Sequence, residues 1–385
     1  METGDTATGT RLPVSLLTGF LGSGKTTVLN HLVRQPALAK TVVVINEFGE
    51  IGLDHDLMES SNEDLVLLQN GCLCCTIRDD LADTLRSLFL RRVKGEISEF
   101  DRIIIETTGL ADPAPILHTL MTDRLLGVRY RLDGVITTVD AATGQATLDR
   151  QIESVKQAAV ADRLLLTKTD LVGPQETAAL MQRLRALNPA APILQALNGA
   201  VDPARLFDAG LYDPKTKSFD VQRWLNAEAY TEPADDHHDH GEHGHHDEDA
   251  DHDHRAHAHD VNRHDEHISA FCVALDTPIL AGAFDLWLDV LLAWRGEDML
   301  RIKGILNIEG LPGPIVIHGV QHVFHPMVQL KRWPSADRRS RIVFIGRDLD
   351  EAALRDTLHL VTTQVIQETE QKSLAPLPDD PDGAV

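Results

Sequence analysis

The stretch Leu17-Thr18-Gly19-Phe20-Leu21-Gly22-Ser23-Gly24-Lys25-Thr26-Thr27 decides the fold. It fits the pattern G-x-x-x-x-G-K-[ST], a loop whose backbone cradles phosphate groups. Its glycines let the chain curl so that successive N–H groups converge on phosphate oxygens. Lys25 is placed to reach the β- and γ-phosphates, and the Thr26 hydroxyl to ligate Mg²⁺. Val14-Ser15-Leu16-Leu17 ahead of the loop reads as a buried strand. Behind it Val28, Leu29, Leu32 and Val33 fall at helical spacing, so the loop opens onto a helix N-terminus that favours anions. Strand, loop, Lys-Thr and helix in that order predict a nucleotide-binding loop made by Gly19, Gly22, Ser23, Gly24, Lys25, Thr26 and Thr27, with Lys25 catalytic.

Beyond the first helix, Thr41-Val42-Val43-Val44-Ile45 predicts a second buried strand. It opens into Asn46-Glu47-Phe48-Gly49-Glu50-Ile51-Gly52-Leu53-Asp54, where a nucleotide-sensing switch belongs. Asp54 has two readings: a carboxylate that positions Mg²⁺ or water, or a solvated loop residue. Arg102-Ile103-Ile104-Ile105-Glu106-Thr107-Thr108-Gly109 predicts an apolar strand ending in a carboxylate. Glu106 there suits the acid that holds Mg²⁺ beside the loop and takes part in catalysis, and Gly109 would let a backbone N–H approach the γ-phosphate. Strand Arg163-Leu164-Leu165-Leu166 ends in Thr167-Lys168-Thr169-Asp170, which resembles the N-K-x-D guanine-reading element with Thr in place of Asn. A carboxylate at Asp170 can accept two hydrogens from guanine, and adenine offers no such donor pair. The alternative is an ordinary strand-to-helix turn. Strands alternating with helices, one of them near 145–158, predict a mostly parallel sheet with helices on both faces.

Asn70-Gly71-Cys72-Leu73-Cys74-Cys75 sets three thiols in four positions. Adjacent cysteines rarely reach disulfide geometry, so the readings are soft-metal binding, redox chemistry or three small buried hydrophobes. Three thiolates leave tetrahedral zinc one ligand short, an arrangement better suited to transfer than to a permanent structural site. An amphipathic helix is expected from Thr76 to Gly95.

The 385 residues carry a formal net charge of −23, which argues against nucleic acid and against an anionic membrane surface as partners. Much of it is local: Asp235 to His267 holds twelve acids and two arginines, a net −10, interleaved with twelve histidines. That tract is expected to be a disordered linker, either a solvated spacer or a weak multiple binder of divalent metals. The polar residues 1–10 show no signal-peptide core, and no apolar run is long enough to span a bilayer. With clustered rather than framework cysteines, a cytoplasmic location is expected. Past Ser269, short strands near 271–275, 302–308, 315–320 and 342–345, a helix around Trp287 and a final helix from about Leu349 predict a smaller α+β domain. Its His318, His322 and His325 are expected to be structural and Cys272 to be core. The expected organisation is a disordered 1–11, a first domain over 12–228, linker over 229–268, second domain over 269–368 and a disordered tail over 369–385.

The loop Thr18–Thr27, the switch-like Asn46–Glu50, Gly71-Cys72-Leu73-Cys74-Cys75, Glu106–Gly109 and Thr167–Asp170 together resemble the CobW-type GTPases, nearest to their YjiA-like members. The likeness covers about residues 12–200, and more loosely 269–360 as that family's C-terminal domain. It implies an α/β P-loop GTPase domain plus a smaller α+β domain, using GTP, Mg²⁺ and Zn²⁺. The nucleotide would lie on the loop residues with Gly109, Lys168 and Asp170, and Mg²⁺ on Thr26, Asp54 and Glu106. Cys72, Cys74 and Cys75, with Glu50, would hold a zinc ion for transfer to a client metalloprotein. Where some relatives carry Glu this chain has Ile45, one oxygen ligand fewer. No side chain stands out as an arginine finger, so turnover is expected to be slow and stimulated by a partner or by homodimerisation. Two rival functions are a cobalt-handling GTPase serving cobalamin synthesis, disfavoured by the thiolates, and a zinc buffer working through the histidine tract.

Overall fold

In the computed structural model the described residues are 11–46, 65–68, 76–207 and 267–359. Strand β1 (Leu12–Gly19) lies at the centre of a seven-stranded sheet and feeds helix α1 (Lys25–Val33). There follow β2 (Thr41–Asn46), β3 (Leu65–Leu68), α2 (Thr76–Val93), β4 (Arg102–Thr107), α3 (Ala114–Thr122) and α4 (Arg124–Arg129). Next come β5 (Tyr130–Asp140), α5 (Gly144–Arg150), α6 (Ile152–Ala159), β6 (Arg163–Thr167), α7 (Pro174–Leu187), β7 (Ile193–Ala196) and α8 (Pro203–Leu206). The strand order is β3-β2-β4-β1-β5-β6-β7, and every pairing is parallel.

Burial on both faces explains why these strands read as unbroken apolar runs. Leu16, Val42, Val44, Ile103, Ile105, Leu164 and Leu166 belong to one core with side chains of α2, α3, α6 and α7. Their neighbours Leu17, Val43, Ile104 and Leu165 face the opposite core with Val28, Leu29 and Leu32 of α1 and Leu206 of α8. The helix expected near 145–158 is two helices. Gln151, at φ −126° and ψ 105°, is extended and separates α5 from α6.

The second sheet holds β8 (Ile268–Leu275), β9 (Met299–Leu306), β10 (Ile315–Val320), β11 (Val323–Phe324), β12 (Val328–Gln329) and β13 (Ser340–Arg347). All its pairings are antiparallel, in the order β11-β10-β9-β13-β8 with β12 on β10. Ile268 already pairs with Arg347, and His267 Nδ1 lies 2.9 Å from Asp348 Oδ1. The ladder therefore begins inside the stretch expected to be linker. One sheet face packs on α9 (Ala281–Arg295) and α10 (residues 351–359) through Phe284, Trp287, Leu291, Leu354 and Leu358. The other face joins the first domain: Leu300, Ile305, Val316 and Val343 share a core with Leu117, Val155, Leu180 and Leu184.

His118 Nε2 is 3.1 Å from Val320 O across this junction, and its ring meets that of His322 edge-on at 4.7 Å. His318 is buried, and its pKa is held well below the imidazole range by burial and then by Arg301. Cys272 is half-buried, and burial pushes its thiol up to about 11. No helix among the described residues is long and apolar enough to cross a membrane.

Asp162, just after α6, is the charged centre of the junction. One of its oxygens pairs with Arg301, and with Lys303 at 3.0 Å, while the other accepts from Val135 N at 2.9 Å. Arg301 also donates to Val160 O. All three charged side chains are buried. Burial, then the Arg301 charge, lowers Lys303 from 10.5 to about 8 against the opposing pull of Asp162. A lysine with a depressed folded-state pKa binds fewer protons when folded than when unfolded between these values. Its contribution to stability therefore rises as pH climbs from about 8 to 10.5. Urea melts across that window are expected to show a steeper upward trend for the wild type than for Lys303→Met. Parallel trends would rule out this assignment.

Candidate functional site

The site forms where β1, β4, β5 and β6 end. Gly24, with φ 88°, precedes α1; no side chain caps that helix and its first turn carries no acid. Its first N–H groups are thus left to an anion. Lys25 Nζ donates to Gly19 O at 2.9 Å and to Phe20 O at 3.2 Å, lying across the loop. Thr26 Oγ1 donates to Glu106 Oε1 at 2.9 Å, so the sheet brings together two side chains eighty residues apart. A hydroxyl beside a buried carboxylate is a hard oxygen pair of the kind Mg²⁺ takes, and these residues fit that ion.

Hydroxyls from the strand ends fix the loop. Ser23 Oγ and Thr138 Oγ1 are 2.6 Å apart, and Thr107 Oγ1 donates to Thr18 Oγ1 at 2.8 Å. Thr167 Oγ1 donates to Ser23 O at 2.8 Å and Val139 O at 3.2 Å. The residue that departs from the guanine-reading pattern is therefore a tether of the loop. Gly19, at φ 144°, has no room for a Cβ, which would run into Thr138 Oγ1 and Ser23 Oγ. A Cβ on Gly109 would lie 2.6 Å from Leu21 N, so the segment after β4 packs directly on the loop.

Lys168 pairs with Asp140 at 2.7 Å, and Asp140 Oδ1 in turn accepts from Ala142 N at 2.8 Å. Asp170 is exposed in the short turn Thr169–Leu171 at the end of β6. The turn Leu197–Ala200 comes up against the carbonyl of Thr27. Sequence reading missed Thr107, Thr138, Asp140, Gln157 and this turn. The available signal was hydroxyl residues at the C-terminal ends of apolar strands, as in Thr107-Thr108 and Thr137-Thr138.

Glu50, Asp54, Cys72, Cys74 and Cys75 lie outside the described residues. Their flanks are placed: Asn46 pairs with Thr107 and with Leu68, and α2 starts at Thr76. The chain thus leaves β2 and β3 at the sheet edge that carries the loop. Ile45 is buried in the core beneath α1. Among the described residues no group of three or more His, Cys, Asp or Glu could hold a metal ion.

Residues 13–195 match the CobW/HypB/UreG nucleotide-binding domain, and residues 268–361 the cobalamin synthesis protein CobW C-terminal domain. The zinc chaperone YjiA of Escherichia coli is 34% identical over 344 residues, spanning 89% of this chain and 96% of that protein. The zinc chaperone CobW of Pseudomonas aeruginosa is 30% identical over 385 aligned positions, spanning 90% and 91%. The crystal structure of Zn(II)-bound YjiA GTPase from E. coli superposes with a TM-score of 0.65 at 29% identity, over 92% of this chain and 99% of that one. With both halves matched in sequence and the loop of the first built as described, this chain belongs to the CobW/HypB/UreG family.

Proposed function

We propose that this chain is a cytoplasmic GTP-hydrolysing metallochaperone that carries zinc on Cys72, Cys74 and Cys75, with Glu50, to a client metalloprotein. The observation that carries the reading is the Thr26–Glu106 contact beneath the loop, at the same sheet edge from which the chain departs toward the cysteines. The zinc chaperones among its relatives support the choice of cargo.

In this reading the loop N–H groups and Lys25 bind the β- and γ-phosphates, and Asp170 and Lys168 bind guanine. Thr26, Glu106 and Asp54 would hold Mg²⁺, which when bound neutralises phosphate charge. Water attacks the γ-phosphorus, the bond to the β-phosphate oxygen breaks, and GDP and phosphate leave. Gly109 points its N–H at the γ-phosphate, and Lys25 meets the charge that develops on the leaving oxygen. The γ-phosphate orders the segments after β2 and β4, and its loss releases them. Zinc and nucleotide are then linked reciprocally: a change in zinc affinity caused by GTP equals the change in GTP affinity caused by zinc.

Titrating zinc against a competing chelator, with a GTP analogue, GDP or no nucleotide, tests the reading. One tight zinc whose affinity shifts about tenfold with nucleotide is expected, and the shift should vanish with Cys72→Ala, Cys74→Ala and Cys75→Ala combined. A nucleotide-blind zinc affinity would sink the coupling and leave a GTPase without this cargo.

A further inference from the structure

Helix α6 touches the candidate site with its middle and the second domain with its end. Gln157 on that helix is completely buried. Its Nε2 donates to Gly109 O at 3.1 Å and to Ala111 O at 3.0 Å. Both partners are carbonyls, so the side-chain atom facing them must be the amide nitrogen. The neighbouring Lys156 pairs with Asp112 at 3.0 Å, a second tether on the same segment. The backbone carbonyl of Gln157 accepts from Thr137 Oγ1 at 2.8 Å, which ties the helix to β5, the strand beside β1.

Three residues on, Val160 O accepts from Arg301 of β9, and Asp162 pairs with Arg301 and Lys303. The intervening turn is pinned by hydrogen bonds from a neighbouring side chain. Asn188, one residue past α7, sets its Nδ2 2.9, 3.1 and 2.9 Å from the carbonyls of Ala158, Ala159 and Ala161, among which its two hydrogens are shared. Segment 109–113 also runs straight into α3, whose His118 meets Val320 of β10. Both helices joined to this segment, α3 by the chain and α6 by hydrogen bonds, therefore also lead to contacts with the second domain.

We infer that Gln157 is a positioning residue for GTP hydrolysis, and that α6 couples the segment Gly109–Ala111 to strand β9. The inference rests on the reading of that segment as part of the nucleotide site. The Gly109 N–H stands one residue's φ and ψ away from the carbonyl that Gln157 holds, so the grip on Gly109 O and Ala111 O limits how far the segment can carry that N–H. Gly109 packs on Leu21, so any shift of the loop on binding nucleotide meets this grip. No hydrogen bond among the described residues reaches Gln157 Oε1. The amide thus grips the segment through its donors alone, and a rearranged segment can offer an N–H to the remaining acceptor. The unused acceptor is what a second arrangement of the segment on α6 would engage, and such a two-state element is the physical basis of coupling between distant sites.

The test uses the full chain. Gln157→Met keeps the volume and removes the donors. Its kcat is expected to fall between about tenfold and a hundredfold, because the segment is misplaced rather than absent. Binding of GTP and GDP is expected to stay within about threefold, the pattern of an interaction used in the transition state. Hydrogen exchange of residues 299–306 is expected to differ between GTP analogue and GDP in the wild type and to lose that difference in the variant, while residues 19–28 keep theirs. Lys156→Met, at a half-buried position, should act in the same direction more weakly, and it decides the matter if Gln157→Met fails to fold. An unchanged kcat, a loss confined to binding, or a persisting exchange difference in β9 overturns the inference. A chain that hydrolyses no GTP at all would bring down the proposed function and this inference together, whereas a GTPase indifferent to Gln157 brings down only the inference.

Discussion

Lys25→Ala is expected to lower GTP turnover about a thousandfold, the scale of losing a donor aimed at charge that develops in the transition state. Lys25 is nearly buried, and its ammonium already spans the loop from Gly19 O to Phe20 O. Those two carbonyls hold the ammonium against the loop. Alanine removes the charge but not the hydroxyl tethers from Thr138 and Thr167, which hold the loop from other strands. The loop should therefore survive, and the defect should be chemical. Single-turnover phosphate release compared with nucleotide binding checks this. Turnover within tenfold of wild type would remove Lys25 from the site.

Asp162→Ala is expected to cost about 3–5 kcal/mol of stability, the usual penalty for breaking one side of a buried ion cluster. It takes the Asp162 charge away from the buried Arg301 and Lys303 and leaves Val135 N without its acceptor. Burial alone would raise the Asp162 pKa; the Arg301 and Lys303 charges beside it outweigh that and hold it far below the carboxylate range, so it stays ionised at any working pH. Chemical denaturation measures the loss. Exchanging the whole cluster, Asp162→Leu with Arg301→Met and Lys303→Met, should recover most of it, because no charge then remains to be desolvated. A loss below about 1 kcal/mol for the single change would mean that water reaches the cluster.

The first domain was legible because its strands are buried on both faces and so advertise themselves as runs such as Thr41–Ile45 and Ile103–Ile105. The Thr26–Glu106 pairing followed from motif order, since a parallel sheet must bring the ends of β1 and β4 to one edge. Gln157 was invisible for the opposite reason. Its partners are backbone carbonyls, which every residue has, so no side-chain pattern marks them. The break at Gln151 hid within a continuous helical pattern, because both halves keep apolar residues on the sheet side. At the domain junction the clue was present but indirect. Arg301 and Lys303 alternate along an otherwise apolar strand, and their partner stands about 140 residues away. The cysteine segment, the most distinctive part of the sequence, lies outside the described residues, and its role rests on the proposal and its titration.

The core that runs from α3, α6 and α7 into β9, β10 and β13 makes the two halves a single solid body. Among the described residues, what holds them together is the fit of that interior and the ion cluster within it. A change of length within residues 208–266 is therefore expected to leave the geometry between nucleotide loop and second sheet as it is.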